Sequence, residues 1–175
     1  MNRVEDLITS HPDFPKKGVL FKDVLPVFRD PRAYHALIDD LAHRIRAEVP
    51  NCCGLVGVES RGFMLACPLA LKLDLPFIPV RKPGKLPGEV KQASFEKEYG
   101  KDHLEVQVES IQKGGTYVIL DDLLATGGTL KAACDLLTEC GAKVGCAFLV
   151  MEISALSGRK TVEDAGYRVE SLIKY

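Results

Sequence analysis

The chain has 175 residues, 46% hydrophobic and 27% charged, and its 23 Lys and Arg against 24 Asp and Glu leave a formal net charge of −1. That length predicts one domain spanning residues 1–175 with a core that needs no staple, and the composition excludes a disordered chain. Near-neutral charge gives no general attraction for nucleic acid, so any anion site must be local.

Residues 1–10 contain acidic side chains and no long apolar centre, and no apolar run reaches membrane length. The expectation is a soluble cytoplasmic protein with no membrane partner. Among six cysteines, Cys52 and Cys53 are adjacent, Cys67, Cys134, Cys140 and Cys146 lie singly in apolar segments, and no CxxC pair occurs. They read as small buried side chains in a reducing compartment.

In chain order, Val4 to Ile8 suggests a short helix, and the proline-rich segment through Phe14, Pro15 and Gly18 is expected to be irregular. Val19, Leu20 and Phe21 then read as an apolar flap. Asp30-Pro31 is a helix start, with Asp as N-cap and Pro in the first turn, and Tyr34, Leu37, Ile38, Leu41 and Ile45 mark one apolar face of a helix to about Glu48. His35 and His43 are expected to be solvated, because no ligand pattern accompanies them. Leu55 to Val58 is a strand, and Glu59 to Gly62 turns into a helix through Leu73, where Pro68 predicts a kink or a shifted start.

Arg61 falls at a strand end, where open α/β sheets gather ligands. Its guanidinium can grip phosphate oxygens there or simply pair with Glu59. Phe77 to Val80 is a third strand, followed by Arg81, Lys82 and Lys85 among prolines and glycines, a second place for an anion contact. From Leu86 to about His103 the sequence is polar and without helical period, the mark of a functional or disordered stretch. Leu104, Val106 and Val108 alternate as a return strand, and Lys113-Gly114-Gly115 turns the chain.

The most informative stretch is Thr116 to Thr129. Tyr117 to Leu120 is a short apolar strand running into Asp121 and Asp122; then come Ala125, Thr126, Gly127, Gly128 and Thr129, and a helix with Leu130, Ala133, Cys134 and Leu137 on one face, ending at Gly141. Paired glycines and a helix N-terminus suit a phosphate, and the carboxylates suit a sugar diol or a metal. A ribose 5-phosphate satisfies both halves. There is no GxxxxGK[ST] and no GxGxxG, so nucleoside triphosphatase and dinucleotide readings lose their support. Val144 to Met151 is a further buried strand, and Tyr167 to Tyr175 can add an edge strand.

The string from Thr116 to Thr129 resembles the phosphoribosyl-pyrophosphate motif of the type I phosphoribosyltransferases. Its flanks resemble the adenine-specific branch: Pro12-Asp13-Phe14-Pro15, Gly18 to Asp23, Glu59-Ser60-Arg61-Gly62-Phe63, Arg81-Lys82 with Gly84-Lys85-Leu86-Pro87-Gly88, and Glu98-Tyr99-Gly100-Lys101. The resemblance implies an α/β fold with a mainly parallel central sheet flanked by helices, an N-terminal hood over residues 1–30 and a flexible catalytic lid over 84–108.

It further implies adenine and 5-phosphoribosyl 1-pyrophosphate as substrates, AMP and pyrophosphate as products, Mg2+ held through substrate and water, and a homodimer. By the same resemblance Asp121 and Asp122 hold the ribose diol, and Ala125, Thr126, Gly127, Gly128 and Thr129 hold the 5-phosphate. Arg61, Arg81, Lys82 and Lys85 meet the pyrophosphate, Leu20, Phe21 and Lys22 hold the base, and Glu98 handles the proton beside Tyr99 in the lid. Lys22 stands where the family commonly has Arg, and Glu59 where Asp is more usual. Other readings are a different purine (guanine, hypoxanthine or xanthine), or a non-catalytic regulator sensing phosphoribosyl pyrophosphate; near-neutral charge and the absence of an appended DNA-binding domain count against the regulator.

Overall fold

The computed structural model describes residues 2–97 and 100–175. It divides into two compact units, Met1–His43 and Arg44–Tyr175.

The first unit holds α1 (Asn2–Leu7), β1 (Thr9–Pro12), β2 (Leu20–Asp23), α2 (Leu25–Arg29) and most of α3 (Pro31–Glu48). β1 and β2 pair antiparallel with His11 opposite Phe21, so the segment expected to be irregular is a hairpin whose proline-rich part is only the loop. Asp13 holds that loop closed: its Oδ1 accepts the Gly18 N–H at 2.7 Å across the turn. Phe14 packs edge-on against Phe21 with ring centroids 5.1 Å apart.

The expected cap of α3 is present, since Asp30 Oδ1 accepts the N–H groups of Arg32 and Ala33 at 2.9 and 3.0 Å. Arg3 binds the other oxygen at 2.5 Å and, with the Ala33 amide, holds the Asp30 carboxyl below its usual range. Leu37, Leu41 and Ile45 are buried on one face of α3, and His35 and His43 are exposed, as expected.

The second unit continues with β3 (Cys52–Val58), α4 (Arg61–Leu73), β4 (Phe77–Val80), β5 (Val90–Lys97), β6 (Gly100–Gln107), β7 (Thr116–Leu124), α5 (Gly128–Glu139), β8 (Lys143–Glu152), α6 (Gly158–Asp164) and β9 (Val169–Lys174). Among the described residues five strands form one parallel sheet in the order β4-β3-β7-β8-β9. The chain moves outward from β3 through α4 to β4, and in the opposite direction from β7 through α5 to β8. Right-handed crossovers in opposite directions put α4 and α5 on opposite faces and open a crevice at the carboxyl ends of β3 and β7. Leu55, Val56, Val118, Ile119, Leu120 and Phe148 are fully buried in the sheet.

α4 runs from Arg61 through Pro68 as one element, so the start is not shifted. Gly141, at φ +85°, follows the last turn of α5 as expected. Residues 86–103, which read as polar and without helical period, hold most of an antiparallel ribbon in which β5 and β6 pair from Val90↔Gln107 to Lys97↔Gly100. Its strands pair with each other, and an Arg81↔Glu105 bridge ties the ribbon to the end of β4. β6 carries the Leu104 and Val106 alternation that reads as a return strand, and both are buried, whereas β5 is mostly polar and gave no strand signal. α2 and α6, of five and seven residues, are too short for a periodic signal.

Candidate active site

A cleft of about 440 Å³ opens at the β3 and β7 ends, lined by Asp121, Asp122 and the whole of Ala125 to Thr129. β7 does not stop at Leu120; it carries both acids within the strand and ends at Leu124. Asp122 is 3% exposed, and its Oδ2 accepts Arg61 Nε at 2.5 Å. Asp121 Oδ1 accepts the Asp122 N–H at 2.9 Å. Burial, and next the neighbouring Asp122 charge, push the Asp121 carboxyl well above its usual value. One acid is therefore offset by a guanidinium, while the other favours its neutral form until a cation or hydroxyl donor faces it.

The loop after the acids bends at Gly127, whose φ of +84° favours glycine, and α5 starts at Gly128. First-turn N–H groups have no partner inside their own helix, which suits this end to a phosphoryl group. The loop is braced from the far end of the chain. A Cβ on Gly127 would lie 2.5 Å from the Gly158 carbonyl oxygen, and a Cβ on Gly158 would lie 2.1 Å from the Ala125 oxygen.

Gly158 opens α6, and the next residue, Arg159, is locked to buried Glu152 at the end of β8, with Nη2 to Oε2 at 2.8 Å. Ser171 adds a 2.5 Å bond to the same oxygen, and Arg159 Nη1 donates to the Val169 carbonyl at 2.6 Å. Nothing in the sequence marked Gly158, Glu152 or Arg159, because the contact joins residues about thirty positions apart.

The cations divide into two groups. Arg61 and Lys82 line the cleft. Arg61 pairs with Asp122, and it is Arg81 that meets Glu59, through Nε at 3.1 Å and Nη2 at 3.2 Å. Glu59 Oε2 also accepts the Lys82 N–H at 3.1 Å, and Arg81 Nη1 donates to the Lys85 carbonyl at 3.2 Å. Arg81 holds the Glu59 carboxyl below its usual range. Glu59 thus shapes the basic loop, and Arg81 and Lys85 flank the cleft without lining it.

Phe95 and Asp102, both on the ribbon, also line the cleft, and nothing in the sequence singled them out. Among the described residues no group of three His, Cys, Asp or Glu could hold a metal ion. Asp121 and Asp122 therefore fit a divalent cation only as part of a shell completed by substrate oxygens and water.

In the first unit Leu20 is 57% exposed, Phe21 is half-buried, and Lys22 Nζ donates to Ser10 Oγ at 3.0 Å. Glu98 and Tyr99 lie outside the described residues, as does the side chain of Lys101. Among the described residues no helix is long and apolar enough to cross a membrane.

Residues 30–174 match the phosphoribosyl transferase domain family. The adenine phosphoribosyltransferase of Caenorhabditis elegans is 42% identical over 173 residues, covering 99% of this chain and 92% of the relative. That of Desulfitobacterium hafniense is 47% identical over 163 residues, covering 93% and 92%. Among solved structures, the adenine phosphoribosyltransferase of Thermoanaerobacter pseudethanolicus superposes with a TM-score of 0.92 at 41% identity, covering 99% of each chain. The Saccharomyces cerevisiae enzyme, complexed with adenine and an imino-altritol bisphosphate, gives 0.93 at 39% identity, covering 97% and 96%. With likeness running end to end in both sequence and fold, the chain belongs to the phosphoribosyl transferase family, in its adenine phosphoribosyltransferase branch.

Proposed function

We propose that the chain transfers the 5-phosphoribosyl group of 5-phosphoribosyl 1-pyrophosphate to adenine, giving AMP and pyrophosphate in purine salvage. The observation that carries this reading is that one strand-to-helix crossover presents a carboxylate pair and a hydroxyl-glycine loop to a single cleft. The loop takes the 5-phosphate, with Thr126 and Thr129 adding hydroxyl donors. Asp121 and Asp122 accept hydrogen bonds from the ribose diol, and Arg61 and Lys82 meet the pyrophosphate from the other wall, with Arg81 and Lys85 behind them.

The bond from the sugar C1 to the pyrophosphate oxygen breaks as the glycosidic nitrogen of adenine attacks, through a state with positive charge on the ribose. The protein's main work is alignment, which can lower a barrier by as much as roughly 7–11 kcal/mol. The neighbouring anions help, because they face the charge that develops on the sugar. Asp121 and Asp122 would help hold Mg2+ through substrate and water, where it would supply charge compensation for the pyrophosphate. Glu98, on the lid, handles the purine proton beside Tyr99. Leu20 and Lys22 offer backbone groups to the edge of adenine and Phe21 offers its ring.

A second copy of the chain is the expected partner. Met64 (40% exposed) and Leu71 (87%) leave an apolar stripe on α4, with exposed Cys67 between them, in keeping with a homodimer. The reducing cytoplasm suits the cysteines: Cys134 and Cys146 are buried fillers whose thiols burial pushes up to about 12.

The test is pyrophosphate release from 5-phosphoribosyl 1-pyrophosphate with adenine, guanine, hypoxanthine and xanthine, each with and without Mg2+. Release with adenine that needs Mg2+ is expected. Release with another base instead, or none with any base, would overturn the assignment.

A further inference from the structure

We infer that Glu105 is a positioning residue that holds the basic loop in register for the pyrophosphate, an inference that rests on the reaction proposed above. Glu105 lies on β6, is 1% exposed, and belongs neither to the cleft lining nor to any motif legible in the sequence. Its Oε1 accepts the N–H groups of Lys85 and Leu86 at 2.9 and 3.0 Å, and its Oε2 accepts Gln92 Nε2 at 3.3 Å from the opposite strand of the ribbon.

The main chain of the same residue clasps the other end of the loop. Arg81 N–H donates to the Glu105 carbonyl at 3.0 Å, and Glu105 N–H to the Arg81 carbonyl at 2.7 Å. One residue therefore fixes both ends of the Arg81 to Leu86 segment, the source of three of the four cations assigned to the pyrophosphate.

A buried carboxylate carries a large desolvation penalty unless several donors meet it. Burial alone would push the Glu105 carboxyl up, but the amides of Lys85, Gly84 and Leu86, with Gln92, outweigh it and hold the group below its usual value. Those donors are loop amides, so the charge is stabilised only in the loop conformation seen here. Gly84, at φ +76°, lets the chain curl so that consecutive N–H groups face one acceptor. Losing the carboxylate frees the loop to sample other shapes, and the cost falls on the ligand that the loop must grip. The acid pair lies on β7 and the 5-phosphate loop leads from β7 into α5, whereas the Glu105 side chain bonds to the Lys85 and Leu86 amides and to Gln92.

The experiment is calorimetric titration of the full-length wild type, Glu105→Ala and Glu105→Gln with two ligands: 5-phosphoribosyl 1-pyrophosphate with Mg2+, and AMP, which lacks the pyrophosphate. Loss of charge-assisted bonds predicts at least about a tenfold loss of affinity for the pyrophosphate ligand in Glu105→Ala, with AMP affinity within about twofold of wild type. Glu105→Gln keeps one acceptor oxygen for the loop amides and should recover part of that loss, to within roughly threefold to fivefold of wild type.

Equal losses for both ligands, or no loss in a folded variant, would overturn the inference. If Glu105→Ala fails to fold, the ligand split in Glu105→Gln decides alone: a selective loss supports positioning, and its absence refutes it. A wild type that binds neither ligand would instead refute the proposed reaction, and the inference with it.

Discussion

Replacing Gly158 with Ala adds one methyl group about thirty residues from the phosphate loop in sequence, and in space it lands on the loop itself. The new Cβ would sit 2.1 Å from the Ala125 carbonyl oxygen and 2.9 Å from the Gly127 nitrogen. Both are backbone atoms, so no rotamer change relieves the contact. Reaching even 3.0 Å, the edge of what real Cβ atoms tolerate, requires the loop or α6 to retreat by about 0.9 Å. α6 resists, because the adjacent Arg159 is held by Glu152, Glu163 and the Val169 carbonyl.

Overpacking of this size typically costs about 1–3 kcal/mol of stability, or roughly 2–12 °C in Tm for a chain of this length. Function is hit harder, because a misplacement of about 1 Å can cost on the order of 10²-fold in rate. Gly158→Ala is therefore expected to stay folded by circular dichroism while kcat/KM falls by about 10²-fold and AMP affinity drops in titration. A folded variant with wild-type AMP affinity would refute the bracing of the phosphate loop by α6.

Asp121→Asn should trade function for stability. In the folded chain the raised Asp121 carboxyl keeps its proton at a pH where the unfolded chain, near the ordinary 3.8, has lost it. Stability from this group is full at low pH and is lost as pH rises through the folded value, so the variant should gain stability over wild type from the acid side toward neutrality. Thermal melts from pH 4 to 8 check this, and AMP affinity should fall by about 1.5–3 kcal/mol if a charge-assisted bond to the ribose is lost; unchanged affinity would remove Asp121 from the sugar site.

Arg159→Ala leaves Glu152 buried without its main partner, and with Arg159 only 24% exposed the loss should sit near about 3 kcal/mol, or on the order of 6–12 °C in Tm. Burial pushes the Glu152 carboxyl up, but Arg159 and Ser171 outweigh it, so its stabilisation is present above the ordinary 4.5 and lost as pH falls through the lower folded value. The variant should show a flatter acid limb, and an unchanged Tm would refute the pairing's weight. Glu98→Gln should lower turnover by at least about 10²-fold while AMP binding changes little, as expected for a proton-handling group; equal losses in both would point to a structural role.

Local chemistry made much of the fold legible in advance. The Asp30-Pro31 cap needs only the four residues around it, and α5 from Gly128 to its Gly141 stop declares itself by period and glycine. The parallel core strands stood out as short apolar runs. The 13–19 loop is irregular, as expected, whereas the flanking strands β1 and β2 and the ribbon strand β5 gave no strand signal, because they are short or mostly polar and carry no clear hydrophobic alternation.

At the cleft, the residues from Asp121 to Thr129 could be read as a unit because one strand-to-helix turn holds them all within a few residues. What the sequence could not disclose was pairing at a distance. Arg61 takes Asp122 rather than Glu59, Glu59 takes Arg81, and Glu105 and Gly158 support the Arg81–Leu86 and Ala125–Gly127 loops from about twenty and thirty positions further along the chain. A side chain's type is written locally, but the partner that satisfies its charge or fills its space is chosen only when the crossovers bring strand ends together.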